Sequence, residues 1–167
     1  SLTPDGALHI EPSHFEVGST KVTLAGDLSR QIDLGLTTRQ LDDVLPILKS
    51  FGVTLTELPV RMLQGNAQLD GSVTGKLTDP RVTGRLRAGA MTVADRRLES
   101  LSLAFDASSA QLRLTEVNWK EAGFSWQGYA TLGLTSWQPA DASPLSAKLT
   151  LVNAPLQPML AAAKINI

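Results

Sequence analysis

The chain of 167 residues predicts a mainly β fold: an antiparallel sheet with one apolar face, on which two short helices pack. Three observations predict it. Apolar and polar residues alternate with period two along nearly the whole chain, the signature of strands with one dry and one wet face. Two stretches break that rhythm with helical spacing. Two helices, in turn, are too few to hide the dry face of so many strands.

The elements follow in order. Val22, Leu24, Gly26 and Leu28 alternate with Thr23, Ala25 and Asp27, and Ile32, Leu34 and Leu36 continue the pattern. Leu41, Val44, Leu45 and Leu48 then have helical spacing, with Thr38 as N-cap and Gly52 as stop. Pro46 inside that stretch makes the helix short or kinked. Val53 to Leu63 reads as a connector. From Leu69 the odd positions Leu69, Gly71, Val73, Gly75 and Leu77 face one way, and Asp70, Ser72, Thr74 and Lys76 the other. After a turn at Asp79–Pro80 the dry phase passes to Val82, Gly84, Leu86 and Ala88, against Arg81, Thr83, Arg85 and Arg87.

Leu101, Leu103 and Phe105 form the next strand, and Leu112 and Leu114 open another. The phase slips between Leu114 and Val117–Trp119, which places a bulge near Thr115–Glu116. Lys120–Glu121–Ala122–Gly123 reads as a hairpin turn, setting Trp119 nearly opposite Phe124. The longest run is Phe124, Trp126, Gly128, Ala130, Leu132 and Leu134; the last is Leu145, Ala147, Leu149 and Leu151. A second helix is predicted from about Pro155 to Lys164, capped by Asn153, with Leu156, Met159 and Leu160 on its stripe. Ile165 and Ile167 open a further alternation.

The two helical stretches expose a repeat. Leu34, Leu36, Thr38, Leu41, Val44 and Leu45 match Leu149, Leu151, Asn153, Leu156, Met159 and Leu160 position for position. Residues 7–52 and 67–164 are therefore read as approximate sub-repeats, and the chain as one segment of a longer repetitive β protein.

Composition bounds the function. With 43% hydrophobic and 19% charged residues the chain is of the folding kind. A net charge of -1 supplies no broad attraction to nucleic acid or anionic lipid. Without cysteine there is no disulfide, thiolate nucleophile or cysteine metal site. No apolar run is long enough to cross a bilayer, and any membrane anchor could lie outside this segment.

The dry face sets the central problem. A helix is about 10 Å across and strands lie about 4.8 Å apart, so one helix covers about two strands. About eleven strands are expected, and two helices leave more than half of them uncovered. The sheet must close into a barrel or sandwich, curl into a trough for apolar ligand, or dock on a partner.

Motifs for chemistry are weak. Gly71–Lys76 has three residues between its glycines where a P-loop needs four, and Leu77 stands at the metal-binding position. His9, Glu11 and His14 lack zinc spacing and are split by Pro12, so a solvated strand edge is expected rather than a metal site. Around Ser125 the second glycine, Gly128, comes one place too late for a nucleophile elbow. Asp42–Asp43 are explained by a helix N-terminus and solvent. Arg81, Arg85, Arg87, Arg96 and Arg97 lack interleaved aromatics and read as a solubilising wet face, not a nucleic-acid site. Trp119, Phe124 and Trp126 are core aromatics by default. No catalytic constellation forms, so a non-enzymatic role without cofactor or metal is expected.

Leu77-Thr78-Asp79-Pro80-Arg81-Val82-Thr83-Gly84-Arg85-Leu86, followed by Leu98-Glu99-Ser100-Leu101-Ser102-Leu103, resembles the repeat of the AsmA/TamB superfamily of bacterial envelope proteins. The resemblance covers Leu69 to Leu134 and extends loosely to both ends. It implies one long curved antiparallel sheet, a U-shaped groove or taco-like trough, anchored at the inner membrane of a Gram-negative-type envelope and crossing the periplasm. It also implies phospholipid transport between the two membranes. On that reading acyl chains lie against Leu69, Val73, Val82, Leu86, Leu101, Leu103, Phe124 and Trp126. The alternative is an assembly scaffold whose strand edges pair with an outer-membrane β-barrel partner (TamA/BamA-like), pairing that edge prolines or bulges would block.

Overall fold

The structure, a computed structural model, describes residues 9–27, 30–46, 60–76 and 78–152. Leu28, Leu48, Gly52, Leu77, the helix expected over 155–164 and the alternation opening at Ile165 lie outside them. Ten strands form one antiparallel sheet: β1 (His9–Val17), β2 (Thr20–Asp27), β3 (Gln31–Thr38), β4 (Val60–Lys76), β5 (Asp79–Val93), β6 (Arg96–Leu98), β7 (Ser100–Ala107), β8 (Gln111–Glu121), β9 (Phe124–Gly133) and β10 (Leu145–Val152). Each long strand lies beside its predecessor, and the short β6 pairs with β5 alone. Tight hairpins join β1 to β2, β4 to β5 and β8 to β9, as antiparallel neighbours allow. The sheet does not close: β1 and β10 are its two edges. Barrel and sandwich are thereby removed from the three solutions.

Register decides what each face carries, because directly opposed residues share a face. Leu36 pairs with Leu69, Leu69 with Leu86, and Leu86 with Leu103. Four residues along each strand, Ile32, Val73, Val82, Ala107, Leu112, Leu132 and Leu145 form a row from β3 to β10. Leu101, Trp119, Trp126 and Leu151 form another. Every row keeps its apolar character through each crossing.

Where the chain would lose phase, irregularities restore it. In β8 the register shifts between Leu114 and Val117, and Glu116 has φ 51°. This is the bulge expected at Thr115–Glu116. Without it Glu116 would share the face of Leu112 and Leu114; with it Val117 and Trp119 take that face and Glu116 turns to the other. In β4 the register shifts twice between Met62 and Ala67, around Gly65 at φ 85°. Gly65 and Gly89 face one another here, and a Cβ on Gly89 would stand 2.5 Å from the Gln64 carbonyl oxygen.

Several expectations are corrected. Of the first expected helix the described residues show a 3₁₀ turn, Leu41–Val44, continued helically at Leu45 and Pro46, the remainder lying outside them; no helix there reaches seven residues. Its N-cap is Gln40 rather than Thr38. Thr38 ends β3, where its hydroxyl accepts a bond from Thr20 Oγ1 at 2.6 Å and donates to the Gln40 carbonyl at 2.7 Å. A β-branched threonine satisfied in this way closes a strand as readily as it caps a helix. The β4–β5 hairpin turns between Lys76 and Asp79, so Asp79 and Pro80 already belong to β5. Part of the expected connector, Val60 to Leu63, opens β4. The β8–β9 turn uses Ala122 and Gly123, both at positive φ. That two-residue loop pairs Glu121 with Phe124 and sets Trp119 against Trp126 instead.

Asp43 is more than a solvated helix-start acid. Its Oδ2 accepts bonds from Ser19 N–H at 2.7 Å and Ser19 Oγ at 2.8 Å, tying the 3₁₀ turn to the β1–β2 hairpin. Nearby, Leu41 packs against the small core of Ala67, Ala88 and Met91. With Val22 these three are the buried hydrophobic residues among those described. The fold therefore has a thin core and a long half-covered face.

Gly71 and Gly84 oppose each other in the middle of that face. A Cβ on Gly84 would stand 2.8 Å from the Asp70 carbonyl oxygen and 2.8 Å from Phe105 Cζ, because the Phe105 ring lies across the glycine. Gly84→Val should lower stability by about 1–3 kcal/mol, the usual cost of overpacking, read as a lower urea midpoint.

Candidate functional site

The eight residues expected to line a groove, Leu69, Val73, Val82, Leu86, Leu101, Leu103, Phe124 and Trp126, are all half-buried. The sheet brings the first six together on β4, β5 and β7 through direct pairs or adjacent rows. Phe124 and Trp126 lie on β9, with β8 in between. Trp119 fills that gap: its ring stacks on Trp126 with centroids 5.6 Å apart and planes 8° from parallel. Leu36 and Phe105 belong to the same surface and were missed as lining residues. Their pleat phase was the signal: Phe105 alternates in step with Leu103, and Leu36 with Ile32 and Leu34.

Exposure rises toward the edges. Leu149 and Leu145 on β10 are 56% and 70% exposed, and Phe15 and Val17 on β1 are exposed as well. Their neighbours one strand inward, Gly128, Leu132 and Val22, are half-buried or buried. The two edges differ in backbone. β1 carries Pro12 and a register shift between Ile10 and Ser13, whereas β10 runs in unbroken register with β9 from Leu145 to Val152.

The opposite face is polar and ordered by charge. Arg85 donates to both oxygens of Glu116 at 3.1 and 2.9 Å, reaching over β7. Arg96 does the same to Glu121 at 2.8 and 3.0 Å. Arg81 bonds Asp106 through Nε at 2.8 Å and through a second guanidinium nitrogen. Of the basic patch expected from Arg81, Arg85, Arg87, Arg96 and Arg97, Arg81, Arg85 and Arg96 are thus paired with carboxylates on β7 or β8. Solvent-screened pairs of this kind contribute little to stability, so they orient the face more than they stabilise it.

The weak motifs resolve as structure. Gly71 to Lys76 lies inside β4, paired to β3 and β5 through Gly71, Val73 and Thr74. Ser125 lies in β9 opposite Lys120. His9 Nδ1 lies 2.7 Å from Asp27 Oδ1 across the β1–β2 pair. Among the described residues no three metal-ligating side chains gather, and no helix is long and apolar enough to cross a membrane. Four shallow depressions formed by described residues are lined mainly by polar-phase side chains. The apolar rows lie on the other face, most of their residues half-buried. No family model, curated protein or solved structure matches the chain.

The hydrogen bonds from Arg81 hold the Asp106 carboxyl below the usual carboxylate range; desolvation opposes them, and the charges of Arg81 and Arg113 reinforce them. A depressed folded value means that the pair's stabilisation is present above the unfolded pKa, roughly 3.9, and is lost as pH falls through the folded value. Asp106→Asn should therefore lower the urea midpoint slightly near pH 7. The deficit should vanish toward the acid limit.

Proposed function

We propose that this chain is a non-enzymatic segment of a periplasm-spanning, AsmA/TamB-like envelope protein that carries phospholipid acyl chains along its apolar rows. One observation carries the reading: an unclosed antiparallel sheet keeps its apolar residues on one side from β2 to β10, with very few of them fully buried. Acyl chains are uniform, apolar and extended. A surface that holds them needs continuity rather than a shaped cavity, and rows such as Leu36–Leu69–Leu86–Leu103 supply it. Moving a chain from one apolar surface to the next changes its solvation little, so no ion, cofactor or catalytic group is required. The resemblance of Leu77–Leu86 and Leu98–Leu103 to the superfamily repeat supports the same reading, and curvature of the sheet into a U-shaped groove belongs to it.

A second reading, a scaffold for outer-membrane β-barrel proteins, is favoured by β10. Its eight residues contain no proline and no bulge, and Lys148 is their only charge. An added strand would cover Leu145 and Leu149, contributing about 1–2 kcal/mol for each side chain removed from water.

The acyl-chain reading is tested in a Trp137→Phe background, where Trp119 and Trp126 are the remaining tryptophans. Phospholipid with brominated acyl chains should quench their fluorescence. Leu86→Asp should weaken that quenching several-fold, whereas Asp70→Asn on the other face should not. Equal quenching in all three, or none in the parent, would refute the reading.

The scaffold reading makes a separate prediction. A photo-crosslinker at Lys148 should capture an outer-membrane β-barrel partner, and one at Glu16 on the proline-bearing edge should not. Equal capture from both positions would count against it.

A further inference from the structure

The geometry points to a phosphate-binding depression on the polar face over β5, β7, β8 and β9. Arg87 and Lys120 supply its charge, and Ser100, Ser102, Ser125 and Gln127 its hydrogen-bonding groups. It lies on the face opposite the apolar rows and does not rest on the acyl-chain reading.

The pairing register builds it. Arg87 opposes Ser102, Ser102 opposes Asn118, and Asn118 opposes Gln127. In the next row Ser100 opposes Lys120, and Lys120 opposes Ser125. The two rows line one depression of about 540 Å³, to which Ala88, Leu101, Trp119, Trp126 and Val152 also contribute.

Charge sets it apart from the rest of the face. Among the described residues Arg81, Arg85 and Arg96 are each bidentate to a carboxylate, whereas Arg87 and Lys120 make no ion pair. The three other depressions each include an acid: Asp33 and Asp70 in two of them, Glu116 in the third. This one includes none. The hydroxyls of Ser100, Ser102 and Ser125 have no side-chain or backbone partner among the described residues. Two unneutralised cations beside unused hydroxyl donors suit a compact oxyanion. Phosphate accepts several hydrogen bonds at once and takes a guanidinium bidentately. The volume leaves room for a small ester group on the phosphate.

Inorganic phosphate titrated against the ¹⁵N-labelled chain, monitored by amide shifts at low and moderate salt, tests the site. Saturable shifts should cluster at residues 87, 100–102, 118–120 and 125–127 and weaken with ionic strength. Arg87→Gln and Lys120→Gln should each reduce affinity at least fivefold, with Arg113→Gln as the unaffected control. These exposed substitutions should leave the remaining spectrum unchanged, which checks the fold. Non-saturating shifts, shifts spread over all cations, or equal affinity in the variants would overturn the inference. Phosphatidylglycerol vesicles that compete with phosphate would assign the site to lipid headgroups. Competition by glycerol 3-phosphate without competition by vesicles would assign it to soluble phosphate esters.

Discussion

The structure depends on agreement of pleat phase between neighbouring strands. A slip of one residue at any ladder would send a whole strand's leucines into water and its arginines into the apolar face. From β2 to β10 no such slip survives: Val22 meets Leu36, Leu69 meets Leu86, and Trp119 meets Trp126. Phase matters here more than in a compact domain, because the buried core is little more than Ala67, Ala88 and Met91. Such a core cannot discriminate strongly between registers by packing volume. Row continuity has to do it.

Bulges serve that continuity. The extra residue in β8 changes which positions face inward, so a sequence that would otherwise put Glu116 among leucines puts it beside Arg85. One backbone irregularity thus preserves the apolar row and completes an ion pair on the opposite face. Gly65 and Gly89 do comparable work where β4 and β5 cross their own irregularity. Side-chain flatness accompanies them: Phe105 covers Gly84, and Leu149 lies against Gly128, so absent side chains in one strand are filled from the next.

Much of this was legible in the sequence, and the reason is physical. Period-two patterning is a local property, so strand positions, the polar and apolar faces and the bulge at Glu116 could be read residue by residue. What failed depended on non-local choices. Thr38 followed by spaced leucines fits a helix cap as well as a strand end, and only the bond from Thr20, 18 residues away, decides between them. Turn length decides cross-strand partners, and Lys120–Gly123 accommodates a two-residue loop as easily as a four-residue one; the choice moved Trp119 from Phe124 to Trp126. The arginine patch looked basic because its acids, Asp106, Glu116 and Glu121, are 25 to 31 positions away in sequence. The apolar rows needed none of this distant information.

The serial order of the strands bears on how such a molecule changes over evolutionary time. Each long strand is bonded to the long strands before and after it, β5 carrying the short β6 as well, with no closing seam to be kept in circumference. Duplicating or deleting a hairpin therefore leaves every other ladder with its partners, provided an even number of strands is gained or lost. Reach becomes an adjustable dimension, set by how many hairpins are strung together rather than by redesign of a shared interior.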